Sequence, residues 1–169
     1  MKKQIGLFLG IITGLVMVIL LVFGACTRFN TDYLYEELGI NGNKCVLVSQ
    51  TDSHGGFHGD GTYSAIYDCS ENKEYVLEIV EKWNKLPLTE NLELILYGGE
   101  KDGKSYAYNL ADDAGLPEVP NGYYFFCDRH SESTNRNSDG DLFNRYSFNF
   151  SIAIYDTDND MLYYIREDT

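Results

Sequence analysis

An apolar run from Ile5 to Ala25, interrupted by no charge, stands apart from everything that follows it in this chain. Thr13 is its one clearly polar side chain, and Lys2 and Lys3 precede it. As a helix rising 1.5 Å per residue it would reach about 31 Å, close to the thickness of a bilayer's hydrocarbon core. A removable secretory signal has a shorter apolar region, about 7–15 residues, so length favours a retained transmembrane helix. The junction Phe23-Gly24-Ala25-Cys26 argues the other way. It resembles a lipobox, in which small residues precede a cysteine that is lipidated and becomes the new N-terminus. Either anchor keeps Lys2 and Lys3 in the cytoplasm by the positive-inside bias. The expectation is a membrane anchor over residues 1–26, a stem over 27–31 and an extracytoplasmic domain over 32–169.

Past the stem, short patterned segments alternate with turn residues. Asp32–Leu38 reads as one or two helical turns stopped by Gly39. Lys44–Thr51 and Thr62–Cys69 read as strands by their β-branched content, on either side of the glycine-dense run Asp52–Gly61. Ser70 can cap a helix over Glu71–Lys85. Val76, Ile79, Val80 and Trp83 share one stripe of it, with Glu71 and Glu74 in its first turn and Lys82 and Lys85 in its last. Asn91–Tyr97 reads as a strand before a Gly98–Gly103 turn. Ser105–Asn109 reads as a short strand, and Leu110–Gly115 as a single helical turn. Gly122–Asp128 is apolar on both faces, which predicts a central strand buried on both sides. Ser131–Arg145 is a polar loop, expected to be the least ordered stretch. Phe148, Phe150, Ile152 and Ile154 alternate, Thr157–Asp160 turns and Met161–Ile165 returns, which makes a hairpin. The order predicts an α+β fold: one mostly antiparallel sheet with a main helix packed on one face, behind a single N-terminal transmembrane or signal helix.

Four cysteines, Cys26, Cys45, Cys69 and Cys127, sharpen the first hairpin, because disulfides form outside the cytoplasm. If Thr51 pairs with Tyr63, then Leu47 meets Tyr67, Val48 meets Ile66 and Cys45 falls opposite Cys69. A Cys45–Cys69 disulfide is expected, against the plainer reading of two buried thiols. Cys127 reads as core. No Cys-x-x-Cys is present, which excludes zinc-ribbon and thioredoxin-like chemistry.

Charge narrows the partners. The chain carries 26 acidic and 13 basic residues, a formal charge of −13. Two of those basic residues and none of the acidic ones precede Cys26, so residues 26–169 stand at −15. Such a field repels nucleic-acid phosphates and favours a cationic peptide, a basic protein face or a metal ion. Solubility alone is the blander explanation of the same surplus. The 14 tyrosines and 9 phenylalanines suit a half-buried sheet.

Candidate chemistry gathers in Ser53-His54-Gly55-Gly56-Phe57-His58-Gly59-Asp60-Gly61. Imidazole and carboxylate together suit zinc or another transition metal, and glycines let backbone fold tightly around an ion. The segment is too rich in glycine to be a helix, so the His-Glu-x-x-His geometry is excluded. The competing reading is a long hairpin loop whose histidines bond the backbone. Asp128-Arg129-His130-Ser131-Glu132 would complete a site if it met this loop in space. The ligand-binding candidates are therefore His54, His58, Asp60, Arg129 and His130, with His54, His58 and Asp60 as the alternative metal set. No resident cofactor and no catalytic residue is assigned. Asp156-Thr157-Asp158-Asn159-Asp160 mimics the start of a calcium loop but lacks its glycine and its closing glutamate, so it reads as a turn.

The glycine run, together with Leu86-Pro87-Leu88, Asn121-Gly122-Tyr123-Tyr124-Phe125-Phe126, Asp128-Arg129-His130-Ser131 and Phe148–Asp156, resembles small uncharacterised membrane-anchored proteins of Gram-positive bacteria. The resemblance implies single-domain size and an extracytoplasmic location, and it assigns no role to any residue. The expected function is a monomeric, non-enzymatic binding module tethered to the cytoplasmic membrane. One alternative is a metal-dependent hydrolase using His54 and His58. Another is a structural protein of the cell envelope.

Overall fold

A computed structural model of the chain describes residues 33–55 and 59–169. The expected anchor over 1–26 with Cys26, the expected stem over 27–31, and His58 lie outside the described residues. Among the described residues no helix is long and apolar enough to cross a membrane. The chain divides into two units, Met1–Asn43 and Lys44–Thr169. In the first, residues 33–38 form a short helix, α1. Gly39 closes it with positive φ, donating to the Tyr35 carbonyl, while Ile40 donates to Leu34.

The second unit is built on a six-stranded, wholly antiparallel sheet. Its strands are β1 (Val46–Asp52), β2 (Gly61–Asp68), β3 (Asn84–Lys85), β6 (Gly122–Asp128), β7 (Asn149–Asp156) and β8 (Met161–Asp168), in the order β1-β2-β8-β7-β6-β3. A separate hairpin pairs β4 (Gly99–Lys101) with β5 (Lys104–Tyr106) through Asp102 and Gly103, both at positive φ. The β7–β8 hairpin turns at 157–160, where the buried Asp156 carboxylate accepts the backbone N–H groups of Asp158 and Asn159 and the Asn159 side-chain amide. The aspartate run is thus a turn closed by its own side chains.

Cys45 and Cys69 are joined by a disulfide, S–S 2.11 Å. The register beside it, Val46 opposite Asp68 and Leu47 opposite Tyr67, is the one that places the two cysteines together. Further along it slips by one: Ser49 faces Ile66, and Asp52, not Thr51, faces Tyr63. Val48 is the extra residue of a bulge, a feature that alternation in the sequence does not encode.

Three elements differ from their sequence reading. Asn91–Tyr97 is not a strand but the body of helix α3 (Glu90–Tyr97). The Thr89 hydroxyl caps it by accepting the Leu92 N–H at 3.3 Å, and Glu90 and Glu93 occupy its first turn. The helix over Glu71–Lys85 is shorter. A 3₁₀ turn over Ser70–Asn72 leads into α2, Lys73–Val80, and Asn84–Lys85 pairs with Tyr124 and Tyr123 as β3. Helix α2 stops at Val80 with Glu81 as its cap, so Lys82 and Lys85 fall outside it, and Pro87 holds only Leu86 extended. The Asp68 carboxylate, not Ser70, receives the first free N–H. Finally, β6 is not buried evenly: Tyr124, Phe126 and Asp128 are buried, while Tyr123, Phe125 and Cys127 are half-exposed.

Alternation then sorts the core. Tyr124, Phe126, Phe150, Ile152, Ile154 and Ile165 form one cluster with Leu92, Ile95 and Leu96 of α3 and with Ala111 and Ala114 of α4 (Leu110–Ala114). Helix α2 lies against the other face, where the Trp83 ring stands 5.7 Å from Phe125. Helices therefore cover both faces of the sheet: the main helix, α2, packs on one, and α3, a leucine-rich run that reads as strand in the sequence, covers the other.

Candidate functional site

The sheet order brings one end of β1, β2, β8, β7 and β6 together, and five ionisable side chains meet there. The Asp52 carboxylate accepts the His54 N–H at 3.0 Å and faces its Nδ1 at 2.7 Å. The other ring nitrogen, Nε2, stands 3.3 Å from Asp168 Oδ2. Asp168 in turn holds Arg129 Nη1 at 2.9 Å and Arg166 Nε at 3.2 Å. The glycine loop and the Asp128–Glu132 segment thus meet at one carboxylate that neither supplies.

Arg129 is a cross-strand staple. Its Nε donates to Ser151 Oγ at 3.0 Å, and its Nη2 donates to the carbonyls of Phe150 (3.1 Å) and Glu167 (3.0 Å). Its backbone N–H reaches the Asn149 carbonyl at 2.7 Å. The guanidinium fork thereby bridges β6, β7 and β8, a task a lysine's single point charge cannot perform. Gly61 lets this end close. A Cβ there would stand 2.6 Å from both Cα and N of His54, so the two arms of the loop touch through backbone.

Burial and bonding pull the carboxylates apart in acidity. Burial alone would raise Asp168, but hydrogen bonds and charge from Arg129 and Arg166 outweigh it and hold its carboxyl below the usual range. Asp52 is lowered in the same way, burial being outweighed by its bonds from His54. Glu167, whose carboxylate accepts the Thr62 hydroxyl at 2.6 Å, is raised, chiefly by burial.

The other predicted residues go elsewhere. His130 bonds its own surroundings: Nε2 lies 3.1 Å from Ser147 Oγ, and Nδ1 accepts the Glu132 N–H at 3.2 Å. Asp60 is exposed, with no hydrogen bond or ion pair to His54, Asp168 or Arg129. The Ser53 hydroxyl donates to the Thr62 carbonyl and accepts the Thr62 N–H, so it is not presented to His54. Beside this cluster, Asp128 is buried and paired with Arg145 at 2.6 Å. Burial raises its pKa, but the bonds and charge of Arg145 and the bond from the His130 N–H bring it below the usual range. This pair, with the Thr89 hydroxyl and Asn91 amide bonded to Asp139, fixes the Ser131–Arg145 segment to the fold.

Chemically the arrangement is closed. Both ring nitrogens of His54 face carboxylates, and neither faces a hydroxyl or a thiol. Among the described residues, no group of three or more His, Cys, Asp or Glu side chains forms a metal-ligand set. An open concavity lies elsewhere, a groove of about 620 Å³ between the Leu86-Pro87-Leu88 segment, the end of α3 and Glu118-Val119-Pro120, floored by Ile154. The Leu86–Pro87 peptide bond is cis. No sequence signal marked the groove, because its walls come from three separate stretches of ordinary composition.

Comparison of the chain with protein-family models, curated proteins and solved structures returned no match.

Proposed function

We propose that this chain is a membrane-anchored, extracytoplasmic binding module without enzymatic activity, and that its partner is cationic. The observation that carries the reading is where the positive charge goes. Arg129, Arg145 and Arg166 are all engaged by carboxylates inside the domain. Those pairs cancel locally. The exposed bases Lys82, Lys85, Lys104 and Arg136 have no ion-pair partner among the described residues either, but exposed acids in the same condition, Glu78, Glu81, Glu93 and Glu118 among them, outnumber them, so the outward field stays negative. The resemblance to small anchored proteins of Gram-positive bacteria and the Ile5–Ala25 run support the location.

The test uses the full chain in phosphatidylcholine nanodiscs as bait for cell-envelope extract, eluted with a salt gradient. Basic proteins released at moderate salt, and absent from empty nanodiscs, are expected. Recovery of nothing above empty nanodiscs refutes the reading. External protease applied to intact protoplasts should remove the domain; its protection would refute the topology.

A further inference from the structure

The groove beside Leu86–Leu88 differs from the rest of the acidic surface because its carboxylates stand over an apolar seat. Leu86, Leu88 and Val119 are half-buried there, and Tyr97 lies across the end of the groove with its hydroxyl donating to the Pro117 carbonyl at 3.2 Å. Glu93 is one helical turn before Tyr97 on α3, and Glu118 follows the carbonyl that Tyr97 bonds. The two carboxylates therefore flank one phenol. That phenol's acidity is lowered first by burial and then by the charges of Glu118 and Glu93. Both glutamates are exposed and lack an ion-pair partner among the described residues.

We propose that this groove holds an extended, proline-containing segment of a partner protein, with one arginine or lysine set between Glu93 and Glu118 and neighbouring apolar side chains against Leu86, Leu88 and Val119. The proposal rests on the cation-binding reading above and names its ligand. Charge complementarity selects the basic residue: a cation set between two carboxylates that have no other ion-pair partner meets both of them, where a lone surface glutamate offers one. The walls select the backbone. Pro87 and Pro120 carry no N–H, so they cannot extend a β-ladder onto an incoming chain. A polyproline II segment needs no such ladder and is recognised by side-chain packing in proline- and aromatic-lined grooves. The volume, about 620 Å³, is that of a site for a few residues, not for a folded domain or a long helix.

The probe is a labelled synthetic peptide, acetyl-Leu-Pro-Pro-Arg-Leu-Pro-Leu-amide, titrated by fluorescence polarisation against the full chain in phosphatidylcholine nanodiscs. Its companions are the same peptide with glutamine for arginine, and tetra-arginine. Binding of the first peptide is expected to saturate. It should weaken about tenfold or more with the glutamine peptide and with the Glu93→Gln/Glu118→Gln double variant. The charge-matched Glu71→Gln/Glu81→Gln variant, altered on the α2 side, should leave it unchanged. Val119→Asn keeps both carboxylates and should weaken the peptide but not tetra-arginine. If tetra-arginine binds as tightly as the peptide, or both double variants weaken it equally, the groove proposal is overturned and the cation-binding reading stands. If neither probe binds, both fall.

Discussion

Replacing Arg129 by methionine tests whether the charged end of the sheet is a staple or an accessible site. The side chain is 15% exposed and makes four bonds: to Ser151 Oγ, to the Phe150 and Glu167 carbonyls, and to Asp168. Bonds to a charged group contribute about 1.5–3 kcal/mol each, but they do not add when they share one donor. The loss is also softened, because Asp168 is 20% exposed and keeps Arg166. Ser151, fully buried, keeps only a long contact from the Tyr164 hydroxyl at 3.4 Å. A net cost of about 3 kcal/mol follows, within the range for breaking a buried charged network. For a unit of this size that is roughly a 10–12 °C fall in Tm. Arg129→Lys keeps the charge and loses the fork, so it should recover less than half of the loss. Urea unfolding of the full chain in non-ionic micelles, followed by Trp83 fluorescence, measures both. A cost under about 1 kcal/mol for Arg129→Met, or full recovery by lysine, would refute the staple and reopen Arg129 as a ligand contact.

Further outcomes follow from neighbouring groups. Reducing the Cys45–Cys69 disulfide, which spans 24 residues, should destabilise the domain by about 3 kcal/mol in the same urea assay; no shift of the midpoint would mean the bond is absent in solution. Asp128 and Asp168 have folded pKa values below their unfolded ones, so their stabilisation is fully present above about pH 4 and is lost as pH falls through the folded values. Arg145→Met should flatten that acid limb and destabilise the domain at pH 7, where Asp128 is left buried and unpaired. Glu167 has the opposite sign, since its raised pKa gives stability that is lost as pH rises. Glu167→Gln should therefore stabilise the domain at pH 7 and be neutral near pH 3; stabilisation at both values would exclude burial of the charge as the cause. Gly122, at φ 152°, would place a Cβ against the Tyr155 carbonyl, so Gly122→Ala should cost about 2 kcal/mol or more, and a neutral result would contradict the register of β6 on β7.

Much of the sheet was legible because its strands carry their own punctuation. Phe148, Phe150, Ile152 and Ile154 alternate before an aspartate-rich turn and Met161–Ile165 returns, and a one-residue slip would swap these large side chains with Ser151, Ala153 and Tyr155 of the other buried face. The α3 error has a different origin. Leu92, Ile95 and Leu96 satisfy helical spacing as well as Leu94 and Leu96 satisfy alternation, and a run of eight residues is too short for apolar content to decide. Thr89 followed by Glu90 and Glu93 was the deciding signal, since a capping hydroxyl with acids in the first turn has no purpose in a strand. The over-long α2 had the reverse fault. Lys82 and Lys85 fit a helix dipole, and that local agreement hides the pairing of Asn84 and Lys85 with Tyr124 and Tyr123, a long-range contact that no local pattern announces.

The candidate site was half legible for a topological reason. His54 and Arg129 could be chosen by residue type, yet what joins them is Asp168, far from both in sequence, and the join needs β8 to lie between β2 and β7. Strand order is a property of the whole chain, so no local window contains it. The same join changes what the residues mean. An imidazole between two carboxylates and a guanidinium with four of its five N–H groups bonded have little valence turned outward, so the residue types that suggested chemistry close the open end of a sheet. The groove is the converse case. Leu86, Tyr97 and Val119 carry no chemical signal singly, yet the fold leaves them beside Glu93 and Glu118 with no partner of opposite charge among the described residues. A search for function by reactive residue types therefore points at the most self-satisfied part of this domain. Unmet bonding capacity points to the groove instead, and that is the surface on which a cationic partner has something to gain.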